Sequence, residues 1–218
     1  MAADPKNILI VSATPEPLSF GGALERALQS DLHSAGYQVT CSNLYQQHFN
    51  AVAFPEDFTA RQNDVYFDMN SELGHAFANA TTPDAVKVEQ QRVLDAALVL
   101  FVTPLYWGGP PAIMRGWFEQ VFIPGFGHGK GQTFANGLLK GRTAQFIATY
   151  GVGAETPEKA DENAAAYFKH LEDRPLSYCG FDVLPTIVMH RHPGHDIHQK
   201  TVDARVTAAN IIQKLNLG

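Results

Sequence analysis

The chain has 218 residues, 45% of them hydrophobic and 17% charged, with a formal charge of −6. That length and balance fit one folded domain with a real core and exclude a disordered chain. No basic run is present, which argues against nucleic acid as a partner, and no apolar stretch reaches the roughly 20 residues that span a membrane.

The opening MAADPKNILIVSA carries one Lys and a short apolar run, without the longer apolar region of a signal peptide. Ile8, Leu9, Ile10 and Val11 form a continuous apolar run, the pattern of a strand buried on both faces of a parallel sheet. Ser19 is placed to cap a helix in which Phe20, Leu24, Leu28 and Leu32 recur every four residues, and Gly36 ends it. Residues 37–41 alternate as a second strand. Residues 45–90 break the alternation and read as an ordered insertion with short helical pieces, closed by a helix ending near Asp95.

Leu98 to Val102 is a third strand, followed by a loop and a helix opened by Pro110 and Pro111. That helix carries two adjacent apolar stripes, Ile113/Trp117/Val121 and Met114/Phe118/Phe122, which predicts one face on the sheet and one on a partner. Ala144 to Thr149 is a fourth strand, and Tyr178 to Val188 contains a fifth. The last helix carries Val202, Val206, Ala209 and Ile212 on one stripe. Alternating strands and helices argue for an α/β, doubly wound parallel sheet in a single domain, 1–218, without repeats or a linker.

In such a sheet, ligands sit beyond the carboxyl ends of the strands. Three segments converge there: TPEPLSFGG at 14–22, TPLYWGG at 103–109 and TYGVG at 149–153. The first combines hydroxyls of Thr14 and Ser19 with Gly21, Gly22 and a helix start, and so suits a phosphate; it is neither a Walker loop nor GxGxxG. The second places Tyr106 and Trp107 beside two glycines. Trp107 suits a flat ligand, whereas Trp117 and Phe118 read as core.

SFGGAL at 19–24, EQQRVLDAALVLFVTPLYWGGPPAIMRGWFEQVFIPGF at 89–126, GLLKGRTA at 137–144 and YCGFDVL at 178–184 together resemble the NAD(P)H:quinone oxidoreductase (DT-diaphorase) family of flavodoxin-like proteins. The resemblance implies a flavodoxin-like sandwich with a five-stranded sheet in the order 2-1-3-4-5. It also implies a homodimer with a flavin at the subunit interface. Thr14, Leu18, Ser19, Phe20, Gly21 and Ala23 would hold its phosphate and ribityl chain, and Pro104, Leu105, Tyr106 and Trp107 would line its ring. Thr149, Tyr150, Gly151 and Val152 would lie at the ring's pyrimidine edge. Asp203-Ala204-Arg205 resembles the segment whose arginine reaches the dinucleotide part of FAD, so FAD is the expected flavin and FMN the alternative. NADH or NADPH is the electron donor and a quinone or similar aromatic the acceptor, in a ping-pong cycle. His128 and Tyr178 would face the substrate from the other subunit, and His195 resembles the family's substrate-side histidine; Trp107, His128 and His195 are the catalytic candidates.

The chain departs from this family at four positions. Thr14 and Gly21 stand where a His and an Asn are usual. Pro157 and Asn163 stand where a Tyr and a His assist hydride transfer, and neither replaces their proton chemistry. Slow reduction of the flavin by NAD(P)H is the expected consequence. Two other readings compete: a regulatory flavoprotein bound to a membrane transporter, and an FMN-dependent azo or nitro reductase. The cluster His190, His192, His195 and His198 is broken by Pro-Gly and lacks paired acids, so no metal site is expected. Cys41 and Cys179 have no disulfide or metal spacing, which fits a reducing cytoplasm. No nucleophile elbow surrounds Ser12 or Ser19, which argues against a hydrolase.

Overall fold

The computed structural model describes residues 3–150, 157–190 and 196–214. Five parallel strands, β1 (Asp4–Ser12), β2 (Gln38–Asn43), β3 (Ala96–Pro104), β4 (Thr143–Tyr150) and β5 (Asp182–His190), form one sheet in the order β2-β1-β3-β4-β5. The central strand β3 is buried from Leu98 to Thr103, as its unbroken apolar run requires when helices cover both faces. Its register places Leu9 beside Val99 on one side and Pro104 beside Thr149 on the other.

One face of the sheet is aliphatic. Here α1 (Phe20–Ser34) buries Leu24, Leu28 and Leu32 against Ile8, Ile10, Leu98 and Leu100. The helix α6 (Ile197–Lys214) packs beside α1 and buries Ala204, Thr207, Ala208 and Ile211, while of the apolar stripe read from the sequence Ile212 is half-buried against the same core. Val202 and Val206 are 41% and 58% exposed. Two stripes of α6 have helical spacing; the one with small residues faces inward because it lets α6 approach α1 closely.

The opposite face is aromatic. Phe101 on β3 meets Phe118, Phe146 and Trp117 at ring separations of 5.1, 5.1 and 5.8 Å, and Phe122 meets Phe181 at 5.6 Å. Met114, Trp117, Phe118, Val121 and Phe122 of α4 (Ala112–Val121) and its C-terminal cap are all buried within the chain. Both apolar stripes of this helix are therefore occupied internally, and the double stripe is not the unsatisfied face that was expected to meet a partner. The insertion supplies the cover. A Cβ on Gly116 would lie 1.9 Å from the Ala51 carbonyl oxygen, so only glycine admits this approach, and Gln120 Nε2 donates to Asn50 O at 2.7 Å.

The 45–90 segment is ordered by buried carboxylates. It contains α2 (Met69–Ala78) and most of α3 (Asp84–Asp95). Glu72 accepts from the Gln62 and Asn63 amides at 2.7 and 3.1 Å. Glu89, 1% exposed, accepts from the Trp117 indole at 2.9 Å, Ser42 Oγ at 2.7 Å, Gln47 Nε2 at 3.2 Å and Arg92 at 2.6 Å. One carboxylate thus ties β2, α3 and α4 together, with each oxygen satisfied by two donors.

Candidate functional site

The strand order reverses between β1 and β3, and a cleft opens beyond their carboxyl ends. Ala13 N donates to Val102 O at 3.0 Å, and Leu105 N donates to Thr149 O at 2.8 Å, so the loops after β1, β3 and β4 are tied by backbone bonds. The cleft has a volume of about 420 Å³, within the range of small-molecule sites. Of the expected residues it is lined by Thr14, Leu18, Ser19, Phe20, Gly21, Pro104, Leu105, Tyr106, Thr149 and Tyr150.

Its floor is the start of α1. Ser19, in an extended conformation, accepts from Gly22 N at 3.2 Å and caps the helix. The amides of Phe20 and Gly21 belong to a first turn with no preceding carbonyls to receive them, so they point partial positive charge into the cleft. The two departures from the family pattern meet here. A Cβ on Gly21 would sit 3.2 Å from Thr14 Oγ1 and 3.3 Å from its methyl group. The branched Thr14, buried and hydrogen-bonded to Ser12 Oγ at 3.1 Å, would have to shift by a few tenths of an ångström to admit a larger residue beside it.

The ring side is a tight turn. Tyr106 N donates to Gly109 O at 2.8 Å and Gly109 N returns a bond to Tyr106 O at 3.1 Å. Trp107 and Gly108 occupy φ of +48° and +77°, the left-handed pair that such a reversal needs. An aromatic residue held at positive φ is strained, and strain of this kind collects at ligand sites. The Trp107 side chain is fully exposed beside the cleft rather than part of its wall.

Ala23 lies in the aliphatic core under the cleft. Gly151, Val152 and His195 lie outside the described residues. Pro157 opens α5 (Pro157–Leu171), a position that suits proline, and Asn163 follows in the same helix. Arg205 is exposed on α6 and does not line the cleft, whereas Lys200 does. Five helical residues separate the two, a rotation of about 140°, so they face different directions. Lys200 was missed because a lone lysine on a surface helix carries no sequence signal. Tyr167 was missed as well: its ring lies 3.2 Å from where a Cβ of Gly108 would be.

His128 and Tyr178 come together elsewhere, with ring centroids 5.1 Å apart. They line a separate groove of about 300 Å³ with Arg115, Glu119, His170 and Arg174. Burial pushes the His128 imidazole below its ordinary pKa, which favours the neutral ring. Burial, with help from Glu25 and against Arg92, raises the Cys41 thiol to about 11, and burial alone raises Cys179 to about 12, so both are unreactive thiols. Among the described residues no group of His, Cys, Asp or Glu has metal-site geometry, and no helix is long and apolar enough to cross a membrane.

The donor set fits a flavin phosphate and ring: capped helix amides and a lysine at one end, and Leu105, Tyr106 and Tyr150 at the other. Comparison with known proteins agrees. The model of a family described as having a flavodoxin-like fold matches residues 6–212. A ribosyldihydronicotinamide dehydrogenase [quinone] from Pongo abelii is 36% identical over 182 residues, covering 82% of this chain and 79% of the relative. NAD(P)H dehydrogenase [quinone] 1 from Rattus norvegicus is 32% identical over 209 residues, covering 92% and 73%. A solved structure from Klebsiella pneumoniae, assigned as a quinone reductase, superposes with a TM-score of 0.83 at 29% identity, covering 94% of this chain and 83% of that one.

Proposed function

The chain belongs to the flavodoxin-like NAD(P)H:quinone oxidoreductase family, and from that premise we propose that it is a flavin-dependent enzyme transferring two electrons from NADH or NADPH to a quinone or similar small aromatic acceptor. The observation that carries this reading is the cleft itself. Ser19, the amides of Phe20 and Gly21, and Lys200 form an anion-binding end on the same wall as an apolar slot at Leu105, Tyr106 and Tyr150. A bound flavin supplies the chemistry that no side chain here can, accepting a hydride from nicotinamide and passing two electrons to the acceptor.

The protein's own contribution is placement. First-turn amides and Lys200 hold the phosphate, while Ser19 keeps the helix start in register. The backbone-locked turn at 106–109 presents Trp107 at the cleft mouth, where it covers a flat ring. Thr149 and Tyr150 line the cleft, where they would hold the pyrimidine edge. FAD is the flavin proposed: Arg205, exposed on α6, would hold its adenosine end outside the cleft. A homodimer completes the site, with His128 and Tyr178 of one protomer facing the flavin of the other.

The absorbance spectrum of the purified protein, identification of the released flavin, and steady-state NAD(P)H oxidation with a quinone test this reading. Two visible flavin bands and quinone-dependent turnover are expected. A protein that stays colourless after incubation with FAD and with FMN would overturn it. Bound flavin without NADH or NADPH oxidation would point instead to the regulatory role. Light scattering of the flavin-bound protein at micromolar concentration is expected to give the dimer mass, and a monomer would remove His128 and Tyr178 from the site.

A further inference from the structure

The groove that holds His128 and Tyr178 carries more positive charge than reduction of a neutral quinone requires. A kink at residues 172–177 leaves Arg174 in an extended conformation (φ −148°, ψ 116°) and turns its guanidinium outward. That group stands over the Tyr178 ring at 5.2 Å and the Phe134 ring at 5.7 Å. Across the groove, Arg115 on α4 is 3.0 Å from His170 Nε2. An arginine only donates, so Nε2 is the acceptor in this contact. Neither arginine forms an ion pair among the described residues. One carboxylate, Glu119, shares the groove, which leaves it with a net single positive charge from its fixed groups.

Two guanidinium groups held by aromatic rings and an imidazole, rather than by carboxylates, keep donors free for an incoming anion. Tyr178 and His128, with ring centroids 5.1 Å apart, add aromatic surface to the groove, so the complementary ligand is flat, aromatic and acidic.

We propose that this groove selects acceptors bearing a sulfonate or carboxylate, with Arg115 and Arg174 holding the acidic group while Tyr178 and His128 meet the ring. The proposal rests on the reading that His128 and Tyr178 belong to the acceptor site, and it names the substrate class of that site. Arg115 and Arg174 are specificity residues; the electrons still pass at the cleft.

The test compares 1,2-naphthoquinone-4-sulfonate with neutral 1,2-naphthoquinone as acceptors for the flavin-loaded protein. Calorimetric binding of 2-naphthalenesulfonate and 2-naphthol is measured in parallel. An exposed charge pair is worth up to about fivefold in affinity. The KM of the sulfonated quinone is therefore expected to lie about tenfold below that of the neutral one. Arg115→Gln and Arg174→Gln should each shrink that ratio about fivefold, and Glu119→Gln should widen it. Both arginines are exposed, so the variants keep the fold. Equal KM values for the two quinones, or a ratio untouched by both arginine substitutions, would overturn the proposal while leaving quinone reduction intact. Arginine-dependent binding of 2-naphthalenesulfonate by a protein that reduces neither quinone would support the groove and sink the proposed function.

Discussion

The cleft beyond β1, β3 and β4 and the groove between α4 and the kink after α5 differ in what they are made of. The cleft is backbone: strand ends, first-turn amides and a tight turn, tied by the Ala13–Val102 and Leu105–Thr149 bonds. The groove is side chain: two arginines, two histidines, a tyrosine and a glutamate, contributed by separate elements and held by ring contacts. Any sequence with this strand order makes a crevice at the first place, because the reversal of winding leaves no helix to cover it. The second place exists only because these particular side chains meet. General cofactor chemistry therefore belongs to the cleft, and discrimination among acceptors belongs to the groove.

The strongest way to break this division is to fill the cleft's backbone. A Cβ on Gly22 would lie 2.4 Å from the Pro17 carbonyl oxygen, and backbone cannot yield as a side chain can. Gly22→Ala is expected to cost about 1–3 kcal/mol of stability, as overpacking does, and to abolish measurable flavin binding in a fluorescence titration. Flavin binding of wild-type strength would show that the first turn is not the cleft's floor.

The groove's helix is tied to the core by the Trp117–Glu89 bond. Trp117→Phe leaves a buried carboxylate one donor short and should cost about 1–3 kcal/mol in urea unfolding. Affinity for flavin should be retained. Parallel losses of both would mean that cleft and groove are one cooperative unit.

Lys200 and Arg205 sharpen the comparison within α6. Lys200→Ala should weaken FAD and FMN alike by about tenfold, as expected for a hydrogen bond to a charged group. Arg205→Ala should weaken FAD alone, by about fivefold because the residue is exposed. Equal losses for the two flavins in the Arg205 variant would place that arginine wrongly.

The smallest effect concerns the thiols. With Cys41 raised to about 11 and Cys179 to about 12, both stay protonated at pH 8, and iodoacetamide should label neither until the protein unfolds. Their folded values lie above the reference of 9.0. Their contribution to stability is therefore present below pH 9 and is lost as pH rises through 11 and 12. Rapid native-state labelling of Cys179 at pH 8 would show that the groove wall opens.

Much of this molecule was legible in the chain itself. Continuous apolar runs at Ile8–Val11 and Leu98–Val102 determine a parallel sheet buried on both faces, since only flanking helices can cover such strands. Ser19 before an apolar helical period determines a capped helix start, and the loops after strands one, three and four then converge by topology. Position within a helix was harder to read. The α4 stripes were both visible, but the insertion that covers them comes from more than fifty residues upstream, through the Ala51–Gly116 approach. On α6, two stripes had equal spacing, and close packing against α1 chose Ala204, Ala208 and Ile211 over Val202 and Val206. The groove was beyond sequence altogether. Arg115, His170 and Arg174 are ordinary surface residues in the chain, and only the kink at residues 172–177 and the Arg115–His170 contact between α4 and α5 bring them to one wall, because groups distant in sequence act on one another through distance in space.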